Sequence, residues 1–284
     1  HIFVWLSGRL LIMTSQSHQG GVTLIELTMV IAIIGVITTV ASVFIKSPID
    51  AYVDSARRAA LTDTADTAMR RIARDVRKAL PNSARIPNSQ CLEFIPTKAA
   101  GRYRGTVDVL STGDILNFVA LDSSFNMLGL NDDLPADQKI EAGDMVAVYN
   151  LGVSGADAYA GDNTSLVLGV ADDIARKEAT LSISPKLFPL ASGGQRFYVI
   201  PKAESIVSYV CSGGQLLRTV RAFDPTVATC PASGAILANN VASCMFAHDV
   251  YDLQRNEQVQ LNVTFSDGGE SISLYHQVHL SNWP

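Results

Sequence analysis

The chain of 284 residues lacks the short signatures that mark most catalytic and metal-binding proteins. No Cys-x-x-Cys pair occurs, and the five histidines fall outside ligand spacing, which argues against zinc. None of the serines lies in a Gly-x-Ser-x-Gly elbow, and no glycine loop precedes a helix to cradle a phosphate. Positive charge is scarce: 22 Lys and Arg against 27 Asp and Glu leave a formal net charge of −5. With no basic groove interleaved with aromatics, nucleic acid is not an expected partner. No enzymatic activity, cofactor or internal repeat is expected.

Another absence is local. Residues 27–45 contain no charged side chain, a run of 19 residues, long enough as a helix to cross the ~30 Å hydrocarbon core of a bilayer. One carboxylate, Glu26, stands at its head. Deep and unpaired in a membrane it would cost on the order of 2–3 kcal/mol or more, which makes it a functional candidate. An ordinary secretory signal peptide fits poorly. It would have a basic n-region, a shorter apolar core and small residues after that core, whereas Gly20 and Gly21 precede the run. Lys46 follows as an interface residue.

The stretch Gly21, Val22, Thr23, Leu24, Ile25, Glu26 and the apolar helix after it resembles the type IV pilin family. The resemblance implies cleavage between Gly21 and Val22 by a prepilin peptidase, methylation of the new N-terminal Val22, and Glu26 as the fifth mature residue. Val22 departs from the commoner Phe. Physical chemistry gives Glu26 a role of its own. If mature chains stack, Glu26 of one can pair with the Val22 ammonium of the next, and breaking one partner then strands the other at roughly 3–5 kcal/mol. The alternative is a carboxylate solvated at headgroup depth. Shaft-forming pilins often carry a proline at the twenty-second mature position; here that position is Val43, with Pro48 five residues on.

Residues 13–21, MTSQSHQGG, are expected to form the leader peptide, and residues 1–12 are expected to be a non-native upstream extension with no pilin counterpart. Residues 22–80 read as one N-terminal helix: 22–46 for the membrane and assembly, then 48–80 as an amphipathic continuation with Pro48 placed to kink it. Val53, Ala56, Ala60, Leu61, Ala65, Ala68, Met69, Ile72, Val76 and Leu80 recur at three- and four-residue spacing. Arg70, Arg71, Arg74, Arg77 and Lys78 suit the negative end of the helix dipole, and Pro81-Asn82 gives a stop.

Residues 81–284 change to short β-type runs and are expected to form a periplasmic head. Expected strands are 91–96, 106–110, 115–121, 144–151, 165–170, 179–184, 195–200, two halves of 205–221, 241–250, 259–267 and 271–280. Gly213-Gly214 and Asp267-Gly268-Gly269 mark hairpin turns. The fold class is therefore α+β, a long helix packed on antiparallel sheet. Cys91, Cys211, Cys230 and Cys244 are disulfide candidates in an exported domain, with three pairings open. His276 and His279, three apart on a strand, face opposite sides. The acidic loop 131–144 is open to calcium, but matches no EF-hand and reads first as solvated.

Residues 69–86, 91–104 and 209–218 further resemble the minor pilins of mannose-sensitive haemagglutinin (MSHA) pili. A Tyr-x-Cys, hairpin, Leu-x-Arg block is similar to J-type pseudopilins of type II secretion. The resemblance implies a minor subunit in pilus biogenesis, initiation or a tip complex, held in the bacterial inner membrane. It also implies other pilins as partners through the N-terminal helix.

Overall fold

A computed structural model describes residues 21–108, 112–223, 229–249 and 256–281. The upstream residues 1–12 and leader residues 13–20 lie outside the described residues, as does part of the expected strand 106–110. The chain divides into two compact units, residues 1–54 and 55–284.

In the first unit, helix α1 (Leu24–Val76) begins and runs unbroken through Pro48. Its continuation in the second unit buries one face: Leu61, Ala65, Ala68, Met69, Ile72, Ala73 and Val76. The buried stripe thus opens at Leu61; Val53, Ala56 and Ala60, expected on it, are exposed. The helix also stops four residues short of its expected end. Leu80 donates its amide to the Ile95 carbonyl at 2.7 Å and Thr97 donates to the Lys78 carbonyl at 2.8 Å, so a strand-like pairing takes over before Pro81.

The second unit holds fourteen strands among the described residues: β1 (Arg85–Asn88), β2 (Cys91–Phe94), β3 (Ala99–Arg102), β4 (Asp122–Leu128), β5 (Met145–Val148), β6 (Thr164–Asp173) and β7 (Glu178–Lys186). They continue as β8 (Arg196–Ile200), β9 (Ile206–Ser212), β10 (Gln215–Arg221), β11 (Ala235–Ala238), β12 (Val241–Asp249), β13 (Asn256–Asp267) and β14 (Glu270–Ser281). They form three antiparallel sheets, in the orders β1-β2-β9-β10-β11, β12-β13-β14 and β3-β8-β5-β6-β7-β4. The α+β expectation of a long helix with antiparallel sheet holds.

The buried face of α1 packs with side chains of the first two sheets, among them Phe94, Val207, Leu216, Phe246, Leu261 and Val278. A second core, with Phe125, Phe188, Phe197 and Leu181, belongs to the third sheet, and a small cluster around Leu80, Ile95 and Ile206 lies apart from both. Both hairpins form as expected. Ser212 pairs with Gln215 and Asp267 with Glu270, and the two glycines of each turn have positive φ, which L side chains disfavour.

Residues 115–121 are a correction: they form irregular chain with a bend at 118–120, not a strand. The Asn117 side chain accepts the amides of Val119 and Ala120, and Asp122 accepts the amide of Asn117, so local side-chain bonds outcompete a ladder. The strand comes just after, as β4. Strands β1, β3 and β11, four residues each, were not expected.

The cysteines pair as Cys91–Cys230 and Cys211–Cys244. The register explains why Cys91 and Cys211 do not join each other. Cys91 lies opposite Val210, so Cys211, one residue on, points to the other face of the sheet. There it meets Cys244 of β12 and ties the five-stranded sheet to the three-stranded one.

Candidate functional site

The head of α1 is closed by Thr23 as its N-cap. Gly21, Val22 and Thr23 are non-helical, and the Thr23 hydroxyl accepts the Glu26 amide at 3.3 Å while its carbonyl accepts the Leu27 amide at 3.1 Å. Thr23-Leu24-Ile25-Glu26 is the Thr-x-x-Glu pattern of a helix start, a signal legible in the sequence that the pilin resemblance overshadowed. Glu26 thereby occupies the third helical position, where the helix dipole favours negative charge. Its carboxylate is exposed and makes no ion pair among the described residues.

Below it the helix is apolar on every side. Leu24, Ile25, Leu27, Met29, Ile31, Ile34, Ile37 and Phe44 are all exposed, and an 18-residue window of mean hydropathy 2.5 has no residue buried. A helix apolar all round needs lipid or other helices about it. The few polar side chains return their hydroxyls to the helix: Thr28 donates to Ile25 O at 2.9 Å, Thr38 to Ile34 O at 2.7 Å and Ser42 to Thr38 O at 2.8 Å. That leaves no hydroxyl of these three seeking a partner in hydrocarbon. Glu26 is then the one carboxylate in residues 21–49, at the edge of the uncharged run 27–45.

The chain carries the prokaryotic N-terminal methylation motif, matched over residues 16–42. The match supports a type IV pilin-like precursor processed by prepilin peptidase and assembled with other pilins. It spans Gly21, Val22 and Glu26, and with the apolar helix it supports a membrane-anchored protein. No curated protein and no solved structure matches the chain.

Within the second unit, the last turn of α1 is fastened by charges that sequence reasoning did not single out. Asp75 accepts the Tyr209 hydroxyl at 2.7 Å and Arg218 Nε at 3.0 Å; Arg218 also grips Glu204 with both terminal nitrogens, at 2.9 and 2.7 Å. Burial, then Asp75, hold the Tyr209 phenol well above its ordinary value, so it stays a donor. Tyr209 and Arg218 are the outer residues of the Tyr-x-Cys, hairpin, Leu-x-Arg block. The structure brings them together on one carboxylate of the helix, while Cys211 of the same block carries a disulfide.

A second charge cluster surrounds Glu93, whose side chain is wholly buried. Arg221 meets it at 3.1 and 2.8 Å, Arg85 from another direction, and the Ser208 hydroxyl at 2.9 Å. Burial pushes the carboxyl up, but the bonds from Arg221, Arg85 and Ser208 outweigh it and hold Glu93 below its ordinary range.

Three of the five carboxylates in the acidic loop, those of Asp132, Glu141 and Asp144, are paired with lysines. Buried Asp144 pairs with Lys98 at 2.7 Å, Asp132 with Lys139 at 2.8 Å and Glu141 with Lys202 at 2.9 Å. Lysine ammonium groups thus already occupy these three carboxylates, which calcium would need bare. His276 and His279 lie on opposite faces of β14, half-buried and exposed.

Proposed function

We propose that the chain is a minor prepilin of a type IV pilus of the MSHA type, similar to the minor pilin MshO, and that its role is structural rather than catalytic. The peptidase cuts between Gly21 and Val22 and methylates Val22. The helix is the assembly element, and the disulfide-bonded head stands in the periplasm and then on the pilus as a contact surface. The observation that carries this reading is Glu26: an exposed carboxylate without an ion pair among the described residues, the fifth residue after the cut, at the head of an all-apolar stretch of helix inside the matched motif. In the filament the ammonium of a neighbouring Val22 neutralises it, which fixes axial register because either group alone would be stranded in apolar surroundings.

The test is mass spectrometry of the mature N-terminus together with a Glu26→Ala variant scored for incorporation into pili. The expected results are methylated Val22, and a variant that inserts in the membrane yet is excluded or depleted from the filament. An intact leader in cells that assemble pili, or normal incorporation of the variant, would overturn the proposal.

A second reading keeps the fold and changes the machine: a J-type pseudopilin of type II secretion. The Tyr209–Asp75–Arg218 fastening favours it, since the block that supplies two of these residues is the one similar to that class. A deletion strain that loses secretion of folded proteins and keeps its surface pili would select it.

A further inference from the structure

The charge cluster at Glu93 has an unused side. A pocket of about 380 Å³ opens beside it, and both arginines, Arg85 and Arg221, line it while Glu93 does not. Each arginine commits Nε and Nη2 to Glu93, and among the described residues neither Nη1 donates to anything. One carboxylate between two guanidiniums leaves a positive charge over. Asp157, which accepts the Tyr159 amide at 2.9 Å, is not on the pocket wall.

Both cations are held in place before any ligand arrives. The Arg221 side chain is only 8% exposed and doubly bonded to Glu93. Arg85 lies 3.6 Å above the ring of Tyr159, and Tyr159 is itself fixed by a hydrogen bond from its hydroxyl to the Ser83 carbonyl at 2.9 Å. Preorganised guanidinium N–H groups beside a low-dielectric wall are the usual means of gripping a carboxylate. Met145, Ala158 and Phe223 add apolar wall, and Thr164 and Thr229 add hydroxyls.

We propose that this pocket binds an acidic peptide segment of a partner protein, its carboxylate on the free N–H groups of Arg85 and Arg221 and an adjoining apolar side chain against Met145 and Phe223. That the partner is another filament subunit rests on the function proposed above; the carboxylate binding does not.

The experiment is fluorescence polarisation with the full chain in detergent micelles, using fluorescein-labelled tetraglutamate and tetraglutamine as probes. Tetraglutamate is expected to bind at least about tenfold more tightly. Thr229→Glu places a carboxylate on the pocket wall without removing either arginine. It should weaken tetraglutamate binding about tenfold and leave the melting temperature unchanged. Arg85→Gln, which leaves Arg221 on Glu93, should weaken it likewise. Equal affinity for the two peptides in the unmodified chain would overturn the proposal without any variant. So would a Thr229→Glu protein that melts normally and binds undiminished, or citrate binding as tightly as the peptide, which would make the ligand a free carboxylate. None of these readouts depends on whether pili assemble.

Discussion

Replacing Arg218 with Met should loosen the end of α1 from the sheet it packs on. The side chain keeps its length and loses three charge-assisted bonds, one to Asp75 and two to Glu204. Removing one partner of a fully buried pair costs about 3–5 kcal/mol. Here Arg218 is 14% exposed, Asp75 24% and Glu204 41%, so the Glu204 half is largely screened by water. A loss of about 2–3 kcal/mol remains, mostly from leaving Asp75, among the described residues, with only the Tyr209 hydroxyl. For a head of this size that lowers the melting temperature by roughly 5–10 °C. The assay is thermal unfolding of the full chain in micelles under oxidising conditions, run as a cycle with Asp75→Asn. The two changes share one bond, so their combined cost should fall short of the sum by about 1 kcal/mol or more. Strict additivity, or a shift within error for Arg218→Met alone, would refute the reasoning.

The Glu93 cluster predicts acid sensitivity of a definite sign. Its folded carboxyl titrates below the ordinary 4.5, so its contribution is complete above that value and is lost as pH falls through the folded value. Urea midpoints measured from pH 7 to 3 should fall in that acid window, and Glu93→Gln, though less stable throughout, should show a shallower fall. Changing both Cys211 and Cys244 to Ser should cost about 2–4 kcal/mol, because a bridge between two sheets is lost; an unchanged denaturation midpoint would contradict that. Thr23→Ala should fray the helix start by about 1 kcal/mol, read as reduced amide protection at Glu26 and Leu27 by hydrogen exchange.

What the sequence made legible was whatever is written locally. The apolar run, Glu26, the hairpins at Gly213-Gly214 and Gly268-Gly269, and the stripe from Leu61 to Val76 each follow from neighbours a few residues apart. What it hid depends on distant chain meeting. Arg221 reaches Glu93 across 128 residues and Arg218 reaches Asp75 across 143, so no spacing rule finds either pair. The cysteine connectivity was open in the sequence; strand register puts Cys91 and Cys211 on opposite faces and removes one of the three pairings. Residues 115–121 misled because ILNFVAL has strand composition, yet Asn117 and Asp122 capture the backbone first.

The helix owes its beginning to Thr23, and that has a bearing on how the precursor can be trimmed. Since the first coil of the helix closes on a hydroxyl downstream of the proposed scissile bond, nothing upstream is needed to hold it shut. The backbone from Gly21 to Thr23 is left outside the helix, in a form a protease cleft can engage as a simple ribbon, and a side chain added at Gly21 would touch nothing within 4 Å. Excision can therefore proceed without unwinding a single turn, delivering a rod already wound at the moment its new amine appears.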